Sequence, residues 1–236
     1  MNRMTITAPL WLVLLALGAG CTMDFEPSLV EPGTILALRA TQEDAPDGPL
    51  QIEALTVGVD EVSWSVCGAP WTGSETGLEC MTPSWSLETN QESLSATIDL
   101  AESPIPPEYE EFIESLWIRV DGADEEVVPA VLTVSLTQPP NNPELIGVLL
   151  DGVDPIDWAG PSGEEIEVTP VWATDSASEG ATTSFYTTAG AFDPWRVTDD
   201  GTTMLLLEGT ETTVTLYVIA RFLGQGATWT TVEVNL

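Results

Sequence analysis

From Ile35 onward, short runs rich in Val, Ile, Leu and Thr alternate with clusters of Gly, Pro, Asp and Asn. The spacing is roughly 8 to 15 residues, the rhythm of strands and turns. A helix would need an apolar stripe recurring about every 3.6 residues across several turns, and no long stretch of the chain carries one. The chain is therefore expected to be all-β. Candidate strands are 35–39, 51–57, 61–67, 94–100, 116–120 and 127–136, followed by 145–150, 165–172, 183–188, 204–207, 212–222 and 228–236. Pro129 cannot donate to a ladder, which predicts an edge position for strand 127–136. One short helix is expected over 107–114, where Pro107 precedes a first turn holding Glu108, Glu110 and Glu111.

The stretch Gln138-Pro139-Pro140-Asn141-Asn142-Pro143 supports neither a helix nor a central strand and reads as an interdomain hinge. The segments on either side echo each other. Leu116–Val120, a Gly-containing turn and Val131–Val134 correspond to Leu216–Ala220, the Gly224-Gln225-Gly226 turn and Thr231–Val234. Each half is thus expected to end in a hairpin. Two units of about 100 residues with six or seven strands each match the size of an immunoglobulin-like sandwich. We expect one over 34–137 and a second over 144–236. The arrangement resembles the tandem immunoglobulin-like or fibronectin-type modules common on bacterial surface lipoproteins. The antibody-type signature is missing, because Cys67 follows Trp64 by three residues and Cys80 falls in a loop.

Charge narrows the function. The chain of 236 residues has 5 Lys+Arg against 38 Asp+Glu and no His, a formal charge of −33. A polyanion repels such a surface, so no nucleic-acid partner is expected. Without His there is no His-based triad, imidazole metal ligand or physiological-pH switch. The absence of Lys removes Schiff-base chemistry and P-loop phosphate binding. At 43% hydrophobic and 18% charged, the chain still has the means to bury a core.

The amino terminus reads as an address. A single cation, Arg3, precedes an apolar run from Ala8 to Leu17 and the small residues Gly18-Ala19-Gly20. A membrane span needs about 20 apolar residues and an export signal about 7 to 15, so residues 1–20 are expected to be a cleaved signal peptide. The run Leu17-Gly18-Ala19-Gly20-Cys21 resembles the lipobox of bacterial lipoproteins, with the Leu one place further from the Cys than is usual. That resemblance implies diacylation of Cys21, a palmitate-type anchor. With the neutral Thr22 next to it, the resemblance also implies passage to the outer membrane of the cell envelope. Ordinary signal-peptidase cleavage after Gly18-x-Gly20 is the alternative, leaving Cys21 as a thiol or disulfide partner. An acidic body gains nothing from anionic lipid, so the membrane partner is reached through the lipid, with residues 21–33 as tether. If Cys21 carries lipid, Cys67 and Cys80 remain to pair as one disulfide. The bridge would close a loop of about 14 residues and stabilise the fold by about 3 kcal/mol. Two Cys without His do not make a zinc site.

Trp64, Trp117, Trp172 and Trp229 fall in candidate strands and are expected in the core. Trp71, Trp85, Trp158 and Trp195 fall in expected loops, where rigid aromatic faces suit sugar rings or partner chains. The plainer role of such a residue is to cap the open end of a sandwich. Asp151, Asp154 and Asp157, the run 121–126 and Asp199-Asp200-Gly201 are candidate Ca²⁺ ligands. None has the spacing of a helical-hand loop, and Asp-Gly is also ordinary turn chemistry. No metal site or other cofactor is assigned beyond the covalent lipid. Paired carboxylates are too abundant to mark a glycosidase, and no base is at hand to activate a hydroxyl. The expected function is a non-catalytic, membrane-anchored binding, adhesion or scaffold module with an unknown protein or glycan partner. Carbohydrate-dependent or Ca²⁺-dependent recognition is the alternative.

Overall fold

A computed structural model describes residues 28–42, 48–68, 71–74, 77–80, 85–86, 94–99, 114–123, 127–161, 165–174, 178–207, 212–222 and 226–236, and for 71–74, 77–80 and 85–86 it describes the backbone path. The fold is all-β, and among the described residues every strand is antiparallel to its ladder neighbours. Among the described residues, nine strands precede the Pro-rich stretch. They are β1 (Thr34–Gln42), β2 (Leu50–Val57), β3 (Val62–Cys67), β4 (Trp71–Ser74), β5 (Gly77–Cys80), β6 (Trp85–Ser86), β7 (Ser95–Ile98), β8 (Ser115–Gly122) and β9 (Ala130–Ser135). One sheet runs β1-β2-β7, a second β6-β3-β8-β9, and β4-β5 form a hairpin of their own.

After that stretch come β10 (Leu145–Leu150), β11 (Glu165–Trp172), β12 (Ala181–Thr187), β13 (Ala191–Asp193), β14 (Arg196–Thr198), β15 (Thr203–Leu206), β16 (Thr213–Phe222) and β17 (Ala227–Asn235). They build the sheets β10-β11-β15-β13 and β14-β12-β16-β17. The chain leaves one sheet at Asp193 and enters the other at Arg196, so β13 and β14 serve opposite sheets.

Period-two alternation positions both cores. Leu116, Ile118 and Val120 of β8 point inward and meet Leu38, Leu50, Ile52, Trp64 and Val66. On β16, Val214, Leu216, Val218 and Ala220 face Leu150, Ile166, Val168, Phe185 and Leu205. Both expected hairpins form, with Leu116 opposite Val134 and Leu216 opposite Val232. β9 begins just after Pro129 and lies at a sheet edge, as expected.

Other expectations change. Of the four strand tryptophans, Trp64 is buried and half-buried Trp172 packs against the second core, whereas half-buried Trp117 and Trp229 lie outside the two main cores. The same alternation that sends Leu116 and Ile118 inward turns Trp117 to the outer face of β8. Trp71 and Trp85 lie in strands β4 and β6 rather than loops. Short strands such as β13 and β14 carry too few residues for alternation to register. The helix expected over 107–114 falls on residues that, apart from Glu114, lie outside the described ones.

The segments on either side of the Pro-rich stretch also touch. Ala37, with half-buried Leu36 and Leu55, packs against Ile219, Ala227, Tyr186 and Trp229 on the outer face of β12-β16-β17. The Asn142 side-chain amide donates to the Ala40 carbonyl at 2.8 Å, and the Gly226 N–H donates to the Asn141 carbonyl. The stretch read as a hinge is therefore bonded to elements on both sides. Ser28–Val30, within the expected tether, is fastened to β12. The Val30 N–H donates to the Thr187 carbonyl at 2.9 Å and the Thr187 N–H donates to the Ser28 carbonyl at 2.8 Å. The fully buried Ser28 hydroxyl accepts from the Phe192 N–H at 2.8 Å.

Candidate functional site

Cations are scarce enough in this chain that the position of each one carries information. Arg3 lies outside the described residues, and the other four are all engaged. Arg39 and Glu53 are cross-strand partners of β1 and β2 and form an ion pair, while the Arg39 guanidinium also sits 4.4 Å from the ring centre of Trp229. Arg119 pairs with Asp121 two residues on, because alternation places both on one face of β8. Arg221 donates to the Leu36 carbonyl at 2.6 Å and lies on the same sheet face as Tyr186. Burial holds the Arg221 guanidinium below its ordinary pKa, partly offset by Tyr186. The fourth, Arg196, lies 4.3 Å over the ring of Trp195 and donates to the Ser184 hydroxyl.

Tyr186 links two of these groups, since its ring is also 6.1 Å from that of Trp195 at a tilt of 52°. The outer face of β14-β12-β16-β17 thus carries an alternation of Arg196, Trp195, Tyr186 and Arg221, beside which Leu36 of β1 docks. Sequence reasoning did not find this cluster. The scarcity of Arg and the adjacency of Trp195 and Arg196 were the available signals. Their convergence with Tyr186 and Arg221 comes from strand pairing, in which Ser184 is opposite both Arg196 and Ile219.

The four candidate aromatic platforms are carried by different elements, Trp158 and Trp195 after the Pro-rich stretch and Trp71 and Trp85 on strands before it. Trp195 has one face covered by Arg196 and is partly buried against the second core, which reduces the ring surface open to a sugar. Trp158 packs on the same core from the loop after β10 and donates its indole N–H to Asp151 at 3.0 Å. Both cap the sandwich. Trp71 is opposite Cys80 in the β4-β5 hairpin and Trp85 is opposite Val66, on strands preceding the Pro-rich stretch.

The acidic turns are occupied with their own backbone. Asp151, at a φ of 51°, accepts from the Glu167 N–H as well as from Trp158, and Asp154 accepts from the Ile156 N–H. Asp199, at a φ of 55°, accepts from the Gly180 N–H. Among the described residues no three Cys, Asp or Glu side chains are grouped to hold a metal ion. Residues 124–126 of the acidic run lie outside the described ones, as does Cys21. Cys67 is fully buried at the end of β3, and Cys80 ends β5.

A cleft of about 250 Å³ opens where the two halves meet, walled by Ala40, residues 132–135 of β9, residues 138–141 and Gly226. Its lining mixes Leu132 and Val134 with Thr133, Ser135, Gln138 and Asn141. Both sides of the Pro-rich stretch contribute to it.

No family model matches the sequence, and neither does any curated protein. Among solved structures, the chain is similar to the FN1–FN3 domains of chicken CNTN1 at 12% identity, over 89% of this chain and 69% of that one, with a TM-score of 0.25. A cytokine receptor complex is similar at 10% identity over 84% of this chain and 95% of the other, with a TM-score of 0.24. Tp47, the 47-kilodalton lipoprotein of Treponema pallidum, is similar at 11% identity with a TM-score of 0.23, and the match covers 89% of this chain but 53% of Tp47.

Proposed function

We propose that the protein is a cell-envelope lipoprotein whose β-sandwich body acts as a non-catalytic binding or scaffold module, held at the outer membrane by acyl chains on Cys21. The observation that carries this reading is the fastening of Ser28–Val30. Cys21 lies about seven residues earlier, so a lipid there would pull on a segment bonded to Thr187 and Phe192 and continuous with β1. Load at the anchor would reach both cores through backbone hydrogen bonds. Two acyl chains are the physical minimum for stable anchoring, and a body of this charge adds no attraction to anionic lipid.

The recognition surface we favour is the cleft between the halves, because a mixed lining of apolar and amide or hydroxyl groups suits an extended polypeptide. The sugar-dependent and Ca²⁺-dependent alternatives gain no support from the covered ring of Trp195 or the self-bonded Asp151. We also propose that Cys67 and Cys80 form a disulfide that pins the β4-β5 hairpin beside β3. Alkylation before and after reduction, read by intact mass, tests that pairing.

Fractionation of cells expressing the native chain or Cys21→Ser, with metabolic palmitate labelling, tests the anchor. The native protein is expected in the membrane pellet and labelled, and the variant soluble and unlabelled. A variant that pellets as well as the native chain overturns the reading.

A further inference from the structure

Among the described residues, five large hydrophobic side chains are conspicuously exposed: Leu29, Val128, Ile146, Val153 and Ile156. Three of them lie at one end of the second sandwich. The register fixes this placement, because Glu165, Leu206 and Ala191 form one row across β11, β15 and β13. The loop that follows Leu150, described over 151–161, starts at that same end, and Val153 bridges back to Leu150. Ser28 is bonded to Phe192, the residue next to Ala191, and Leu29 bridges to Thr187. At about 4.8 Å per strand, β10 and β13 are roughly 14 Å apart, so Leu29 and the loop belong to one end face.

We propose that this end face rests on a lipid bilayer, with Ile156 as the tip that enters it. The proposal depends on the anchoring of Cys21 proposed above, and it adds which surface meets the membrane. Cys21 lies about seven residues before Ser28, a reach of roughly 24 Å at full extension, so an anchored chain cannot hold Leu29 far from the headgroups. Ile156 is 92% exposed, and on the same end face Val153 of its loop and Leu29 are 41% and 45% exposed, which is apolar surface open to solvent. The nearby carboxylates of Asp151, Asp154 and Asp157 are exposed beside the tip. Asp151 accepts from Trp158 and the Glu167 N–H, and Asp154 accepts from the Ile156 N–H, bonds that fix the shape of the loop presenting Ile156. The remaining acids restrict the contact to the tip and favour neutral lipid over anionic lipid.

The test uses the full acylated chain in vesicles of phosphatidylcholine doped with a photoreactive acyl-chain analogue. Sedimentation is read in the same sample, and crosslinked peptides are mapped by mass spectrometry. Peptides containing Ile156 are expected to crosslink well above those containing Val128, which is 77% exposed but belongs to the other sandwich. Ile156→Asp is expected to lose roughly tenfold or more of its crosslink, as for an apolar-to-acidic change at membrane depth. Val128→Asp is expected to change nothing. Because Ile156 has so little contact with the fold, the variant keeps its stability, and its unchanged melting temperature confirms that. A chain that sediments yet crosslinks no more at Ile156 than at Val128 overturns this proposal and leaves the anchor standing. A chain that fails to sediment overturns both.

Discussion

Gly190 has a φ of 79°, and a Cβ placed there would press on the Leu206 carbonyl. The neighbour is backbone of a paired strand and cannot give way. Gly190→Ala should therefore combine left-handed strain with a steric shift, costing about 2 kcal/mol or more. Thermal unfolding should show a Tm lower by roughly 4 °C or more, at the 2–4 °C per kcal/mol expected of a chain this long. Tyr217 offers a second test. Burial raises its phenol pKa above the ordinary 10.0. A folded-state pKa above the unfolded one means that the contribution is fully present below pH 10 and fades as pH climbs through the folded value. Tyr217→Phe should remove that part of the alkaline loss, and base-induced unfolding followed by circular dichroism will show whether it does. Neither residue is conspicuous in sequence. Gly190 reads as one more turn glycine, and the environment of Tyr217 is set by strands distant along the chain.

The β16-β17 hairpin, the Pro-rich stretch and β1 meet at a close approach. A Cβ on Gly226 would overlap the Asn142 side-chain oxygen, and Asn142 is the residue that reaches Ala40. Gly226→Ala should thus break the Asn142–Ala40 bond and the Gly226–Asn141 bond together while leaving both cores intact. Calorimetry of the native chain is expected to give closely coupled transitions, and the variant should separate them. A single unshifted transition in Gly226→Ala would remove Asn142 from any role at the junction. Hairpins, long strands and the edge position of β9 were legible because alternation and Pro placement are local signals. The sheet-switching pair β13 and β14 was not, since three-residue strands are defined by their partners. Nor was the outward turn of Trp117, which depends on the parity of β8 as a whole. The candidate site was less legible still, because Arg221 and Tyr186 meet only through the pairing of β12 with β16.

With 38 acids and four described arginines already engaged, the folded body has few cations left to offset its own repulsion. Screening should help it. The Debye length falls from about 10 Å at 0.1 M salt to about 3 Å at 1 M, so the Tm is expected to rise with NaCl over that range. A flat or falling curve would count against self-repulsion as a significant destabilising term. The absence of His and Lys leaves Cys and a chain terminus as the ordinary titrating groups between the carboxylates and tyrosine. Stability should accordingly form a plateau from about pH 6 to pH 9, unlike that of a His-containing protein, and a chemical-denaturation series across that range checks it. Strand rhythm, charge and the missing residue types were enough to establish an all-β chain and to exclude whole classes of chemistry, because these properties depend on local pattern and on inventory. The tie from Ser28 to Thr187 and the wedge of Asn142 against Gly226 were decided by the tertiary structure, since each joins residues far apart in the chain through contacts that exist only once the sheets have paired.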